Sequence, residues 1–344
     1  MTTFGDQLYQ YGGVPVSSGG AGRLMQMFES DNIWFVDGDN GLTGNLGNRP
    51  DQAVTLISAA VALASAGGTI YVKPKLSADS ETSYYSDSID IPITKPALSI
   101  IGAGNSWGNP GSVGGVNVIT STAGVADHLV DVNAGGVLIE NIRWTRAGGT
   151  ASSNKCIVSA VASGVTSWPQ GLTLRGCVFE WDIDHPSASA DPNAAVGLGK
   201  CWVALIENCH FLNCLGGIAS APTAGDNAMV HIMNNVFSGN PAYRDADIII
   251  NNNSAGGFDH VIHGNVFGDG LPAHADGATL RFIDMPYQTA GTGIFSNNYF
   301  ACLSKEAQFK EGGSEGDVAD NYFMAGNWCR GSGTTAPYGI ITDA

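Results

Sequence analysis

A six-residue phrase that recurs seven times constrains the fold of this chain more than any other feature. Each copy begins with an apolar residue, ends with an aromatic one and usually carries Asn or Cys between them. The closing aromatic residues are Trp144, Phe179, Phe211, Phe237, Phe267, Phe300 and Phe323. Their spacings are 35, 32, 26, 30, 33 and 23 residues. A repeat of this length cannot bury its own apolar face, so stacked copies must share a core, as they do in a solenoid.

The pattern inside each copy indicates strands rather than helices. Apolar and polar residues alternate, as at Ile206 and Asn208 or Ile232 and Asn234, and a period of two is typical of a β-strand. The intervals between copies are rich in Gly, Asn, Ser and Pro, which form turns. Leu does not recur at fixed offsets, which excludes leucine-rich repeats. The sequence therefore predicts an all-β fold, a parallel β-helix in which equivalent residues stack roughly 4.8 Å apart.

Most Asn residues of the repeat lie at two neighbouring positions, which we call the amide positions. The first holds Asn141, Gly176, Asn208, Asn234, Gly264, Asn297 and Asp320. The second holds Ile142, Cys177, Cys209, Asn235, Asn265, Asn298 and Asn321. We expect stacked Asn side chains to form a hydrogen-bonded ladder at a bend, with the closing aromatic residues stacked inside the coil.

The region before the repeats predicts a cap. Apolar positions from Ala53 to Ala64 form one face of a helix, Gly67 and Gly68 end it, and Thr69–Val72 reads as a short strand. An amphipathic helix there covers the first coil. With the phrases VDGDNGLTG, GGTIYV and SIIGAG, the chain resembles pectate-lyase-like right-handed β-helix proteins over about residues 33–325. The resemblance implies a right-handed solenoid, but lyases, hydrolases, epimerases and phage spikes share this fold.

We divide the chain into four segments on this basis. Residues 1–30 form a short flexible N-terminal arm, 31–75 the N-terminal cap and first strand, 76–325 the parallel β-helix, and 326–344 a C-terminal cap or tail. The arm lacks the basic start and apolar run of a signal peptide. No segment is long and apolar enough for membrane insertion.

Composition limits the partners. The formal net charge is −16, with 15 Lys and Arg, which excludes nucleic acid as a partner and disfavours acidic polysaccharide unless a local basic or Ca²⁺-loaded patch intervenes. Seven Cys residues form no zinc-type pairs, and Cys177 and Cys209 are interpreted as small interior apolar residues. No metal site and no cofactor are predicted; Ca²⁺ is left open for an enzyme.

Three acidic clusters are candidates for chemistry, because glycan cleavage needs paired carboxylates or a base beside Ca²⁺. Asp182 and Asp184 form one, Asp245 and Asp247 a second, and Asp276 with Arg281 and Asp284 a third. Solvated strand faces and turn-capping Asp residues are the commoner explanation for each. The resemblance adds no support, since the RxPxxR-like and NTD, DD and GHG phrases of its lyases and polygalacturonases are absent. The catalytic residues expected of an enzyme are Asp245, Asp247, Asp276, Arg281 and Asp284.

The fold and the arm together favour a bacteriophage virion protein, of capsid-decoration or spike type, over an enzyme. The chain is similar in character to phage-encoded β-helix proteins, which assemble in the host cytoplasm without an export signal. We expect a homotrimer that binds phage capsid or tail proteins and contacts host-surface polysaccharide. The arm would anchor to the particle through Phe4, Leu8, Tyr9 and Tyr11, and Trp107 and Trp168 are the candidates for sugar contact.

Two alternatives remain open. The chain is a polysaccharide lyase or glycoside hydrolase of the pectate-lyase-like class, or it is a host adhesin without catalysis. Glycan binding that leaves the polymer length unchanged separates the adhesin from the enzyme.

Overall fold

The computed structural model describes a large part of the chain. The described residues are 10–11, 14–15, 32–75, 84–103, 116–119, 128–146, 156–161, 169–181, 194–212, 214, 216–220, 227–238, 246–250, 259–268, 281–285, 293–301, 309–311, 314–315, 322–329 and 339–341. Within them the fold is a right-handed parallel β-helix with one α-helix, α1 (Ile57–Leu63). The predicted fold class is confirmed.

Three long sheets form the faces of the solenoid, and a separate hairpin lies near the chain start. The hairpin pairs β1 (Gln10–Tyr11) with β2 (Val14–Pro15). Sheet 1 contains β3 (Ile33–Val36), β4 (Thr69–Val72), β7 (Ser99–Gly102), β10 (Leu138–Glu140), β13 (Thr173–Arg175), β16 (Leu205–Glu207), β19 (His231–Met233), β22 (His260–His263), β25 (Gly293–Ser296) and β29 (Tyr322–Ala325).

The other two sheets follow the same order along the axis. Sheet 2 contains β5 (Tyr85–Ser86), β8 (Val116–Ile119), β11 (Ile142–Arg146), β14 (Val178–Trp181), β17 (His210–Leu212), β20 (Val236–Ser238), β23 (Val266–Phe267), β26 (Tyr299–Phe300), β30 (Asn327–Cys329) and β31 (Gly339–Ile341). Sheet 3 contains β6 (Ile89–Ile91), β9 (Val130–Val132), β12 (Val158–Val161), β15 (Ala194–Gly199), β18 (Gly216–Ser220), β21 (Ala246–Ile249), β24 (Arg281–Met285), β27 (Phe309–Glu311) and β28 (Ser314–Glu315).

From β4 to β27, each coil contributes one strand to each sheet, and the partners of a strand lie one repeat away in the chain. The pairing is parallel, as in Ile139 opposite Leu174 and Leu174 opposite Ile206. At the C-terminal end, sheets 2 and 3 finish with antiparallel strands, β31 on β30 and β28 on β27. Sheet 1 finishes with β29, which pairs in parallel with β25.

The closing aromatic residues form the predicted interior stack. The ring centroids of Phe211 and Phe237 lie 4.6 Å apart with 5° between the planes, and Phe237 and Phe267 are 5.0 Å apart. Phe179 and Phe300 extend the stack at its two ends. All of these side chains are fully buried, so the repeat phrase encodes a continuous aromatic column inside the solenoid.

At the corner between sheets 1 and 2, the two amide positions of the repeat have different roles. Residues at the first position adopt the left-handed conformation, with φ between 53° and 67° in Asn141, Gly176, Asn208, Asn234, Gly264, Asn297 and Gly326. Asn and Gly tolerate that conformation best. The second position holds the ladder: Asn235 Nδ2 donates to Asn265 Oδ1 at 3.1 Å, and Asn265 Nδ2 donates to Asn298 Oδ1 at 3.0 Å.

Cysteine takes the same place in the earlier coils. The Cys209 thiol donates to the Leu174 carbonyl at 3.6 Å, as Asn235 Nδ2 donates to the Ile206 carbonyl one coil later. Burial raises the pKa of the Cys209 thiol well above its ordinary value. Five cysteines are free and buried: Cys156, Cys177, Cys201, Cys209 and Cys214. The interpretation of Cys177 and Cys209 as interior residues is confirmed.

The predicted seventh copy was wrong. The register sets Phe295 opposite Met324 and Phe300 opposite Cys329, so the last coil repeats at Met324–Cys329 rather than at Val318–Phe323. Gly326 therefore takes the left-handed position that was predicted for Asp320, and Asn327 completes the ladder in place of Asn321. Phe323 faces outward with 65% of its surface exposed. A search for a closing aromatic missed this copy because it ends in cysteine.

The cap helix is shorter than predicted. Pro50–Gln52 forms a single 3-10 turn, and α1 begins only at Ile57, because Val54 is extended and bridges to Val36. Ile57, Ala60 and Val61 are buried against the first coil, whereas Leu56 is exposed.

The turn at residues 37–40 is stabilised by the Asp37 carboxylate. This carboxylate accepts hydrogen bonds from Lys73 Nζ, at 2.7 Å, and from the backbone amides of Asn40 and Asp39. Burial opposes its ionisation, but these bonds outweigh burial and lower the pKa of Asp37.

One interior row contains a histidine among aliphatic residues. One buried register position at the start of the sheet 1 strands holds Leu98, Val137, Leu172, Ala204, Val230 and His260 in successive coils. The Val230 amide donates to His260 Nδ1 at 3.4 Å. Within the described chain, His260 Nε2 has no hydrogen-bond partner. Burial lowers the pKa of His260 to about 4, with Asp259 raising it and His231 lowering it to smaller extents.

We expect this histidine to make the fold acid-sensitive. The unfolded chain binds a proton at His260 near pH 6.5 while the folded chain stays neutral, so stability falls as pH drops from about 6.5 towards 4. The expected loss is about 2 kcal/mol between pH 7.5 and pH 5. Urea unfolding at both pH values measures it. His260→Leu removes this component, and an equal pH dependence in both proteins would contradict the prediction.

Candidate functional site

A row of alternating charges crosses three coils on the outer face of sheet 1. Glu140, Arg175 and Glu207 occupy one register position on β10, β13 and β16. Arg175 Nε lies 2.5 Å from Glu207 Oε1, and Arg175 Nη1 lies 3.9 Å from Glu140 Oε2. The hydrogen bond to Glu207 raises the pKa of Arg175. The Arg175 side chain is 44% exposed, so this row can contact a ligand from solvent.

A second, more enclosed pair lies around the corner on sheet 2. Arg143 on β11 contacts Glu180 on β14 through Nη2 at 2.6 Å and Nε at 3.1 Å. Thr145 Oγ1 donates to the same Glu180 oxygen at 3.4 Å. Arg143 is 4% exposed. Burial of a charge is tolerated when a partner of this geometry neutralises it, so the pair is a fixed part of this face.

His210 and Ser238 continue the same face. His210 Nε2 and Ser238 Oγ are 2.7 Å apart on β17 and β20. Partial burial and the charge of Arg143 lower the pKa of His210, against the opposite effect of Glu180. The imidazole is therefore neutral near pH 7. A neutral imidazole bonded to a hydroxyl is able to accept a proton.

We call these seven residues the ionic patch: Glu140, Arg143, Arg175, Glu180, Glu207, His210 and Ser238. Its three carboxylates and two guanidinium groups are arranged so that each Arg contacts a Glu. The patch offers several donors and acceptors in fixed positions with little net charge. It can bind a polar, uncharged ligand that spans several coils.

Of the acidic and basic residues predicted from the sequence, only Asp247 has a described side chain. Asp247 is 1% exposed and lies on β21, where its backbone passes the fully buried ring of Phe237 beside Gly217. Arg281 and Asp284 lie three residues apart on β24, opposite Ala246 and Ile249. Asp245, Asp276, Asp182 and Asp184 lie outside the described residues. The catalytic assignment stays a prediction.

The remaining predicted contacts also lie largely outside the described chain. Trp107, Trp168, Phe4, Leu8 and Tyr9 are among the residues that the structure does not describe. Tyr11 lies on β1 of the hairpin.

The ionic patch was missed in the sequence although a signal was present. Glu140, Arg175 and Glu207 each directly precede the left-handed residue of their repeat copy. In a parallel β-helix such residues are neighbours, so alternating signs at one repeat position indicate a charge row. A search for acidic residues close together in the chain does not detect it.

The described residues contain no group of three or more His, Cys, Asp or Glu side chains arranged to hold a metal ion. In the same part of the chain, no helix is long and apolar enough to cross a membrane.

The chain is similar in fold to two pectin methylesterases of known structure. A pectin methylesterase from Aspergillus niger aligns at 14% identity, over 89% of this chain and 88% of its own, with a TM-score of 0.46. The pectin methylesterase from carrot aligns at 13% identity, over 88% of this chain and 84% of its own, with a TM-score of 0.44. No protein-family model matches the chain, and no curated protein does. At this identity the likeness concerns the fold alone.

Proposed function

We propose that this protein binds an extended, uncharged polysaccharide along the ionic patch. The observation that carries the proposal is the row of charge-neutralised polar side chains across successive coils, Glu140, Arg175 and Glu207 above all. Sugar hydroxyls donate and accept hydrogen bonds, and fixed carboxylate and guanidinium groups supply complementary partners.

Electrostatics favours an uncharged polymer. The chain carries a net charge of −16, and both arginines of the ionic patch already contact glutamates. An acidic polymer would meet a repulsive field, and the glutamates already neutralise both guanidinium groups of this patch. A neutral polymer meets donors and acceptors without that cost.

The shape of the face favours a polymer over a small sugar. Equivalent residues recur roughly every 4.8 Å along the axis, and the ionic patch extends from β10 to β20. A straight polymer that lies along the axis would contact each coil in turn.

Arg175→Ala is expected to weaken polysaccharide binding about 10-fold, since a charge-assisted hydrogen bond contributes about 1.5 kcal/mol or more. It also leaves Glu140 and Glu207 without their shared cation. Binding is measured by calorimetric titration against a panel of neutral and uronic acid polysaccharides. Arg49→Ala is the matched control, because Arg49 forms an exposed ion pair with Asp51 on the cap, at 3.1 Å. Equal affinities of Arg175→Ala and wild type would reject the site.

A second candidate function is cleavage of the bound polymer, which the neutral His210 beside Ser238 favours. His210 is suited to act as a general base. His210→Gln is then expected to reduce the rate of chain shortening by about 100-fold, followed by reducing-end release or viscosity. His263→Gln is the control, since His263 forms a similar pair with Ser296, at 2.8 Å. Binding without shortening by the wild type would leave the protein a glycan-binding module.

The virion role and the trimer predicted from the sequence stay predictions. Deletion of residues 1–30 should leave the β-helix folded and abolish incorporation into a phage particle; normal incorporation would contradict the anchor. For an enzyme that uses the acidic residues predicted from the sequence instead, Asp→Asn at Asp245, Asp247, Asp276 or Asp284 should cost about 100-fold in rate.

A further inference from the structure

The last coils expose a band of apolar side chains on the outer faces of sheets 1 and 2. We call it the apolar strip, made of Val266, Ile294, Tyr299, Phe323 and Trp328. Phe323 is 65% exposed and Trp328 47%. Ile294 and Phe323 are paired neighbours on sheet 1, and Tyr299 and Trp328 are paired neighbours on sheet 2. The strip is thus continuous along the axis and present on both sides of one corner.

The strip coincides with a region of strands without charge. The strands β19, β20, β22, β23, β25, β26, β29 and β30 contain no Asp, Glu, Lys or Arg. The chain as a whole has 15 basic and 31 acidic residues, and the charged residues on the described strands of these two sheets lie in the earlier coils, up to Glu207. Among the described strands, sheets 1 and 2 therefore have a charged half and an uncharged half.

We propose that the apolar strip is the surface through which copies of this chain associate. Two molecules that each carry −16 repel each other wherever their acidic surfaces meet, and an uncharged face is where this repulsion is least. A basic partner would instead be drawn to the acidic surface. Exposed Tyr, Trp and Phe are also the residues that interfaces favour.

Because the apolar strip lies on both sides of one corner, it favours a closed ring of copies over a two-fold dimer. If Ile294 and Phe323 of one copy pack on Tyr299 and Trp328 of the next, every copy uses both faces. Such a heterologous contact generates a ring when the rotation closes. This arrangement agrees with the trimer expected from the sequence.

Light scattering coupled to size-exclusion chromatography of the full chain tests the proposal. We expect a mass of two or more times the 35.6 kDa of one chain. Association should strengthen as salt rises, because salt screens the repulsion but leaves the apolar contact. Phe323→Glu and Trp328→Glu should each weaken association at least about 30-fold. Leu42→Glu is the matched control, because Leu42 is 64% exposed at the opposite end of the chain.

Each outcome decides the proposal. A wild-type monomer at all concentrations and salt levels overturns it, as does association by both variants at wild-type strength. Circular dichroism of the variants verifies that they fold. The proposal does not depend on polysaccharide binding, and Phe323→Glu should bind polysaccharide as the wild type does. If Trp328→Glu loses polysaccharide binding but still associates, the strip belongs to the glycan and the proposal fails.

Discussion

Replacement of Asn265 by leucine should lower the free energy of unfolding by about 4 kcal/mol. The Asn265 side chain makes four hydrogen bonds in a fully buried position. Its Oδ1 accepts from the Asn235 amide at 2.9 Å and from Asn235 Nδ2 at 3.1 Å. Its Nδ2 donates to the Ile232 carbonyl and to Asn298 Oδ1. Leucine fills a similar volume and forms none of these bonds, and the buried Asn235 amide loses its acceptor.

Equilibrium unfolding in urea measures this loss, and Asn297→Gly provides the control. Asn297 lies directly before the ladder residue of the next coil, is exposed and has φ of 55°. Gly264 occupies the equivalent place one coil earlier with φ of 67°, so glycine fits there. We expect the control to change stability by less than about 0.5 kcal/mol. A loss below about 1 kcal/mol for Asn265→Leu would show that the ladder contributes little.

Phe237→Ala should destabilise the fold by about 4 kcal/mol. The ring is fully buried between Phe211, at 4.6 Å, and Phe267, at 5.0 Å. Gly217 leaves room for it, since a methyl group added there would lie 2.6 Å from the ring. Truncation therefore removes buried apolar area and two stacking contacts and leaves a cavity in the aromatic column.

A comparison of two substitutions at Phe237 distinguishes the stabilisation from apolar burial from that of ring stacking. Phe237→Leu keeps much of the apolar volume but loses the ring contacts, so we expect about 2 kcal/mol. Urea midpoints and unfolding slopes of both variants give the two values. If the alanine variant is no less stable than the leucine variant, the column does not act as a packed core.

The sequence predicted the fold well because its signal is the stacking itself. The closing aromatics from Trp144 to Phe300 and the amides of Asn235, Asn265 and Asn298 recur where the structure stacks them. The last coil was misplaced because Cys329 ends the copy without an aromatic residue. A pattern defined by its final ring cannot detect a copy that lacks one.

The candidate site was less accessible to sequence reasoning. The prediction relied on acidic residues that are close in the chain, such as Asp245 and Asp247. Contacts in a parallel β-helix instead join residues about one repeat apart, as Arg175 and Glu207 are. Side-chain reach adds a second difficulty, because Arg143 on one coil contacts Glu180 at a different register position of the next.

Because each strand of sheet 1 pairs with the strand one coil away, the length of the solenoid is a whole number of strand spacings. The ten strands of sheet 1 span nine intervals of roughly 4.8 Å, or about 43 Å. Inserting or deleting one complete coil would change the length by one interval and keep every remaining pair in register. A change of a few residues within a strand would instead shift inward residues outward. The length of the solenoid thus changes by whole coils, whereas the turns between strands can change in length without altering it.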